Sequence, residues 1–130
     1  MAPRIFNTHH AGDTLIIDFV DPLQCIDIHY GVFTRGVRQV VGVLQDLPTN
    51  TISGLTITKA SDLDVINARY DAIHDFFTIY LTEPQSIPLQ DPPPCYDEPR
   101  LSLFTLPGVE TRIAAIRIFG ASINVSNTMI

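Results

Sequence analysis

Apolar and polar residues alternate with a period of two along much of the chain, and that period predicts strands. The first strong run is Thr14-Leu15-Ile16-Ile17-Asp18-Phe19-Val20, interrupted by Asp21-Pro22-Leu23-Gln24. Cys25-Ile26-Asp27-Ile28-His29-Tyr30-Gly31-Val32-Phe33 follows, and a third run covers Arg38 to Leu44. With residues 21–24 as the loop of a hairpin, Val20 faces Cys25, Phe19 faces Ile26, Asp18 faces Asp27 and Ile17 faces Ile28. In that register Leu15, Ile17, Phe19, Ile26, Ile28 and Tyr30 share a buried face, and Asp18, Asp27 and His29 lie on the other. A slip of one residue would scatter both sets, so the pattern selects this pairing.

Residues 1–12 read as an N-terminal arm or edge strand around Arg4-Ile5-Phe6, and Asp46 to Asn50 as a turn before a strand at Leu55-Thr56-Ile57-Thr58. Leu63, Ile66, Tyr70, Ile73, Phe77 and Tyr80 recur at spacings of three and four, a helical signal. Phe76 to Thr82 has strand composition and stops at Glu83-Pro84. The stretch therefore reads as a short helix or irregular excursion within 62–74, then a strand. Leu101 to Leu106 and Arg112 to Phe119 are the last strong strands, the latter with Ile116 and Ile118 inward and Arg117 outward. Ile123-Asn124-Val125 reads as a final short strand. The expected fold is an all-β, antiparallel β-sandwich or jelly roll of about eight strands in a single domain, 1–130. It has at most one short helix, near 62–74.

Between the strands lies a long proline-rich surface loop, 84–99, with six prolines: Pro84, Pro88, Pro92, Pro93, Pro94 and Pro99. Proline lacks a backbone donor and fixes φ, so this stretch is excluded from a sheet interior. Loops of this length in small domains are usually either functional or mobile spacers, and both readings apply here. Tyr96 stands among Asp91, Asp97 and Glu98, an amphipathic aromatic with an acidic rim suited to a protein or carbohydrate contact. The alternative has Tyr96 folded back to pin the loop to the sandwich.

The chain's 130 residues carry 14 acidic against 8 basic side chains, a net charge of −6. That balance argues against a nucleic-acid partner, because phosphate affinity comes from clustered Lys and Arg. No apolar run is long enough for a secretory signal or a spanning helix. The expectation is a soluble protein, cytoplasmic or part of a particle, without membrane insertion. Cys25 and Cys95 read as free thiols.

Asp18 and Asp27, opposed across the proposed ladder with His29 nearby, form a candidate metal site. Like charges directly opposite destabilise a ladder, and a structural calcium would compensate. The rival reading has the carboxylates solvated or paired with Arg35, Arg38 or Arg117. No nucleophile elbow, phosphate loop or zinc-protease helix is present, so no catalytic residues are assigned and the chain does not read as an enzyme.

Three segments resemble the galactose-binding-like sandwich of discoidin domains and carbohydrate-binding modules. They are Asp13 through Phe33, Asp75 through Leu81, and Thr111-Arg112 with Ile116-Arg117-Ile118 and Gly120. The chain departs from that pattern in having no Trp. The resemblance implies the sandwich fold, a carbohydrate ligand and a structural calcium. The expected function is a non-catalytic recognition or assembly module whose loops bind a carbohydrate or protein partner, as a homo-oligomer if it assembles. The alternative is a structural subunit of a virus or phage particle, in a decoration, spike or joining role.

Overall fold

The computed structural model describes residues 2–33, 37–87, 91–106 and 112–126; Arg35, Pro88 and Thr111 lie outside them. Its first sheet is built around the strand Thr51–Ile57, in which every residue after Thr51 is buried. This strand (β5) sits at the centre, hydrogen-bonded to a neighbour on each edge. The others of that sheet are β1 (Asn7–Ala11), β2 (Thr14–Asp18), β3 (Asp27–Val32) and β4 (Val41–Asp46), in the order β1-β2-β5-β4-β3. The second sheet holds β6 (Asn67–Asp71), β7 (Phe76–Tyr80), β8 (Leu101–Leu106) and β9 (Arg112–Phe119), in the order β6-β7-β9-β8. All pairings between these strands are antiparallel. The chain completes one sheet before beginning the other, giving an all-β, two-sheet sandwich of nine strands among the described residues.

The inner faces meet through Leu15, Ile17, Phe19, Leu55 and Ile57 on one side and Phe77, Ile79, Ile116 and Ile118 on the other, all buried. Phe19 meets Phe77 edge-on, ring centres 6.0 Å apart. Each such side chain contributes about 1.5–3 kcal/mol by leaving water. Buried Gln39 ties the sheets together: it donates to Thr58 and Lys59 carbonyls and accepts the Ile113 N–H at 2.8 Å. Ile116 and Ile118 face inward and Arg117 outward, as the alternation requires.

The expected hairpin of residues 14–33 does not form. Asp21 caps a 3-10 turn over Pro22–Gln24, its carboxylate accepting the Leu23 N–H at 3.0 Å. The chain is carried past β5 and β4 to the far edge, where β3 pairs with β4 alone. Leu15, Ile17 and Phe19 are buried as expected, but Ile26 and Ile28 are 67% and 45% exposed. They share the inward phase of Tyr30 and Val32, yet sit at the end of an edge strand where burial is incomplete.

Three further expectations change. Residues 62–74 contain no helix: β6 occupies Asn67–Asp71, with half-buried Ala68 and Tyr70 alternating with exposed neighbours. The described helix is instead α1 (Ala121–Asn124), where a strand was expected. Gly120 enters it in the left-handed region at φ 58, and Asp75 holds Ser122 through its N–H at 2.9 Å and hydroxyl at 2.6 Å. The first strand is Asn7–Ala11 and not Arg4-Ile5-Phe6.

Candidate partner-binding surface

The proline-rich loop is fixed at its C-terminal end by a polar network around Glu98 and Arg100. Glu98, only 5% exposed, accepts from Arg100 through both oxygens, Nη2 to Oε1 at 2.5 Å and Nε to Oε2 at 3.0 Å. The Tyr30 hydroxyl, reaching across from β3, donates to the same Oε1. Arg100 spends its remaining donors on Gln45 Oε1 at 2.7 Å, the Tyr30 oxygen at 3.0 Å and the Asn50 carbonyl at 2.9 Å. Such bidentate, charge-assisted bonding is strong and geometrically specific. Burial pushes the Glu98 carboxyl up, but bonding to Arg100 and Tyr30 outweighs it and the net shift is downward. Burial and the bond to Glu98 push the Tyr30 phenol up to about 12.

Glu98 is therefore a buried anchor and not part of an exposed acidic rim. Arg100 was not singled out from sequence; its position two residues after an acid at the loop-to-strand boundary was the available signal. Backbone bonds close the loop end: the Cys95 N–H donates to Leu101 at 2.8 Å and the Leu101 N–H to Glu98 at 3.0 Å.

Upstream, the Ser102 hydroxyl donates to the Pro92 and Pro93 carbonyls at 2.9 and 3.2 Å. Asp91 pairs with Arg117 at 3.0 Å on the outer face of the second sheet. The Arg117 guanidinium lies over the Phe76 and Phe104 rings, 5.0 and 4.9 Å from their centres. Asp91 is thus an exposed residue already engaged in fixing the loop.

What the anchors leave in solvent is Tyr96, 99% exposed, beside exposed Asp97. The folded-back alternative for Tyr96 does not occur. Phe33, also 70% exposed, faces the same region. Together with prolines 92–94, Cys95 and Leu103, these two aromatics line an open groove of about 330 Å³.

The metal trio does not assemble. Asp18, Asp27 and His29 all lie on the outer face of the first sheet, but β5 and β4 separate Asp18 from the other two. Asp27 accepts from Ser53 at 2.9 Å. His29 reaches over Gly42 to Thr56 at 3.0 Å; a Cβ at Gly42 would stand 2.1 Å from both polar atoms. Asp18 is buried, with His9 at 3.7 Å. Burial raises its pKa, His9 opposes this, and Asp27 and Asp21 add to the rise. Among the described residues no three His, Cys, Asp or Glu side chains gather where a metal ion would fit. Cys25 and Cys95 do not form a disulfide. No helix among the described residues is long and apolar enough to cross a membrane.

Comparisons of the chain with protein-family models, characterised proteins and solved structures find no match.

Proposed function

We propose that the protein is a non-catalytic recognition or assembly module whose proline-rich loop presents Tyr96 to a carbohydrate or protein partner. The observation that carries this reading is a fully exposed aromatic on a loop whose flanks are anchored, by Glu98–Arg100–Tyr30 on one side and Ser102 and Arg117 on the other. A pre-ordered loop has less conformational freedom to lose on binding. Tyr combines large contact area with a polar tip, which suits both a protein hot spot and a sugar platform. The galactose-binding-like resemblance favours the sugar; Phe33 beside Tyr96 offers a second ring for it.

A structural subunit of a virus or phage particle is the second reading, favoured by the edge of β3, which has no strand partner besides β4 among the described residues.

Replacing Tyr96 by Ala tests the first reading with little risk to the fold, because surface substitutions away from special features usually stay within about 0.5 kcal/mol. Parent and variant are compared on an array of mono- and oligosaccharides and by light scattering. Loss of glycan capture or of assembly in Y96A is expected. Identical behaviour of the two proteins in both assays would overturn the reading.

A further inference from the structure

The edge of β3 carries a row of backbone groups turned away from β4, its one partner strand among the described residues. The Leu47 N–H donates to the Ile26 carbonyl at 2.7 Å, which fixes the phase of the β3–β4 ladder. In an antiparallel pair each residue turns both backbone groups the same way, alternating along the strand. Ile28, Tyr30 and Val32 therefore bond toward β4, while Asp27, His29 and Gly31 turn theirs outward. None of those outward groups has a backbone partner among the described residues.

Natural edges are protected by Lys, Pro, bulges or a covering segment. β3 contains neither Lys nor Pro, and its register with β4 runs unbroken from Asp27 to Val32. The bulge of this sheet lies elsewhere, between β4 and β5. Ile28 and Ile26 add exposed apolar surface to the inward-phase side of the same edge, and Leu47, bonded to Ile26, is exposed too.

We propose that β3 pairs with β3 of a second copy of this chain, antiparallel about a two-fold axis through Ile28, joining two five-stranded sheets into one. The register follows from donor–acceptor complementarity, since an imidazole N–H can donate to a carboxylate. Centring the axis on His29 sets that residue against itself and Asp27 against Gly31. Centring it on Ile28 sets Asp27 opposite the second copy's His29, and the reverse, so the edge is complementary to itself. Asp27 and His29 each use one polar atom within their own sheet, Oδ2 toward Ser53 and Nε2 toward Thr56, and keep the other for this pairing. The two Asp27–His29 positions are then hydrogen-bonded pairs exchanging about four backbone bonds. Ile28 meets its own copy in the closely spaced pair between them, and Ile26 is brought opposite Tyr30. An isologous contact of this kind closes on itself and stops at two copies.

The inference does not rest on the Tyr96 reading: it assigns self-assembly to a different surface and leaves Tyr96 to a carbohydrate or another protein, so the two readings fail separately. Its test is the solution mass of parent, I28K, I28E, an equimolar I28K/I28E mixture and Y96A, by light scattering over a concentration series. Thermal melts confirm that each variant is folded. The parent is expected at twice the 14.4 kDa chain mass. I28K and I28E alone should each fall to the chain mass, because like charges then meet at the axis. The mixture should return to twice that mass, since opposite charges now face each other; this rescue identifies position 28 as the axis. A parent that stays at the chain mass throughout would overturn the proposal, as would an oligomeric parent indifferent to I28K or a mixture that is not rescued. If Y96A alone dissolves the oligomer, the edge pairing is wrong and assembly through the loop stands.

Discussion

Changing Glu98 to Gln keeps the size of the side chain and removes its charge. The Arg100 guanidinium, with its side chain one-fifth exposed, then has no counter-charge, and the Tyr30 hydroxyl bonds a weaker acceptor. Removing one partner of a buried ion pair costs about 3–5 kcal/mol. Arg100 retains some water and its bonds to Gln45 and Asn50, and the Gln carbonyl still accepts, so about 2–3 kcal/mol is expected here. For a chain of this size each kcal/mol moves Tm by roughly 3–5 °C, so thermal melts should fall by about 6–15 °C at pH 7.

The pH dependence separates this account from a simple packing defect. The folded pKa of Glu98 lies below its ordinary 4.5. Its contribution to stability is therefore complete above that value and is lost as pH falls through the folded pKa. The Tm difference between parent and E98Q should be constant from neutral pH down to about 5 and then close. A difference that persists unchanged at pH 3, or no difference at pH 7, would refute the ion-pair reasoning.

Two further outcomes are expected. Asp18 is buried with a raised pKa, so the stability it confers is full below its ordinary value of 3.8 and is lost as pH rises through the folded value; D18N should raise Tm at pH 7, and melts at acid pH should show that gain vanish. Gly42→Ala forces a methyl into the His29–Thr56 bond and should cost about 1–3 kcal/mol by denaturant unfolding; in a double-mutant cycle with H29A the two costs should fall short of additive.

Side-chain alternation was a dependable guide to faces and a poor guide to neighbours. It assigned Leu15, Ile17 and Phe19 to the core, Ile116 and Ile118 inward, and Asp18, Asp27 and His29 to an outer face. Pairing between strands has no such local signature. Val20 and Cys25 are close in sequence, but β5 competes for β2, and its buried Ile52, Leu55 and Ile57 win that edge. The same limit separated Asp18 from Asp27 and His29, on whose adjacency the calcium reading depended. The periodicity of Leu63, Ile66 and Tyr70 fitted a helix on paper; antiparallel pairing of β6 with β7 satisfies that backbone instead. At the loop, sequence located Tyr96 and the prolines but misjudged Glu98, since burial of an acid depends on where a partner such as Tyr30 arrives from another sheet.

The two surfaces are joined by one strand. Tyr30 leaves β3 on its inward side to hold Glu98, and Phe33 follows that strand directly into the Tyr96 groove. The neighbouring residues Asp27, His29 and Gly31 offer their backbone on the free edge. Alternation allows this division, because in a strand the residues that turn their backbone groups outward are not the ones whose side chains point inward here. Burial at Ile26 and Ile28 is incomplete, and the side chains of β3 hold it to the sandwich mainly through Tyr30, Val32 and the Asp27–Ser53 and His29–Thr56 bonds. A strand so lightly packed at one end is where an added partner strand would contribute most, by completing hydrogen bonds and covering Ile28. The Tyr30–Glu98 contact would pass any resulting restriction of β3 to the loop that carries Tyr96. Were both proposals to hold, edge pairing and loop recognition would be mechanically linked through the same six residues, Asp27–Val32.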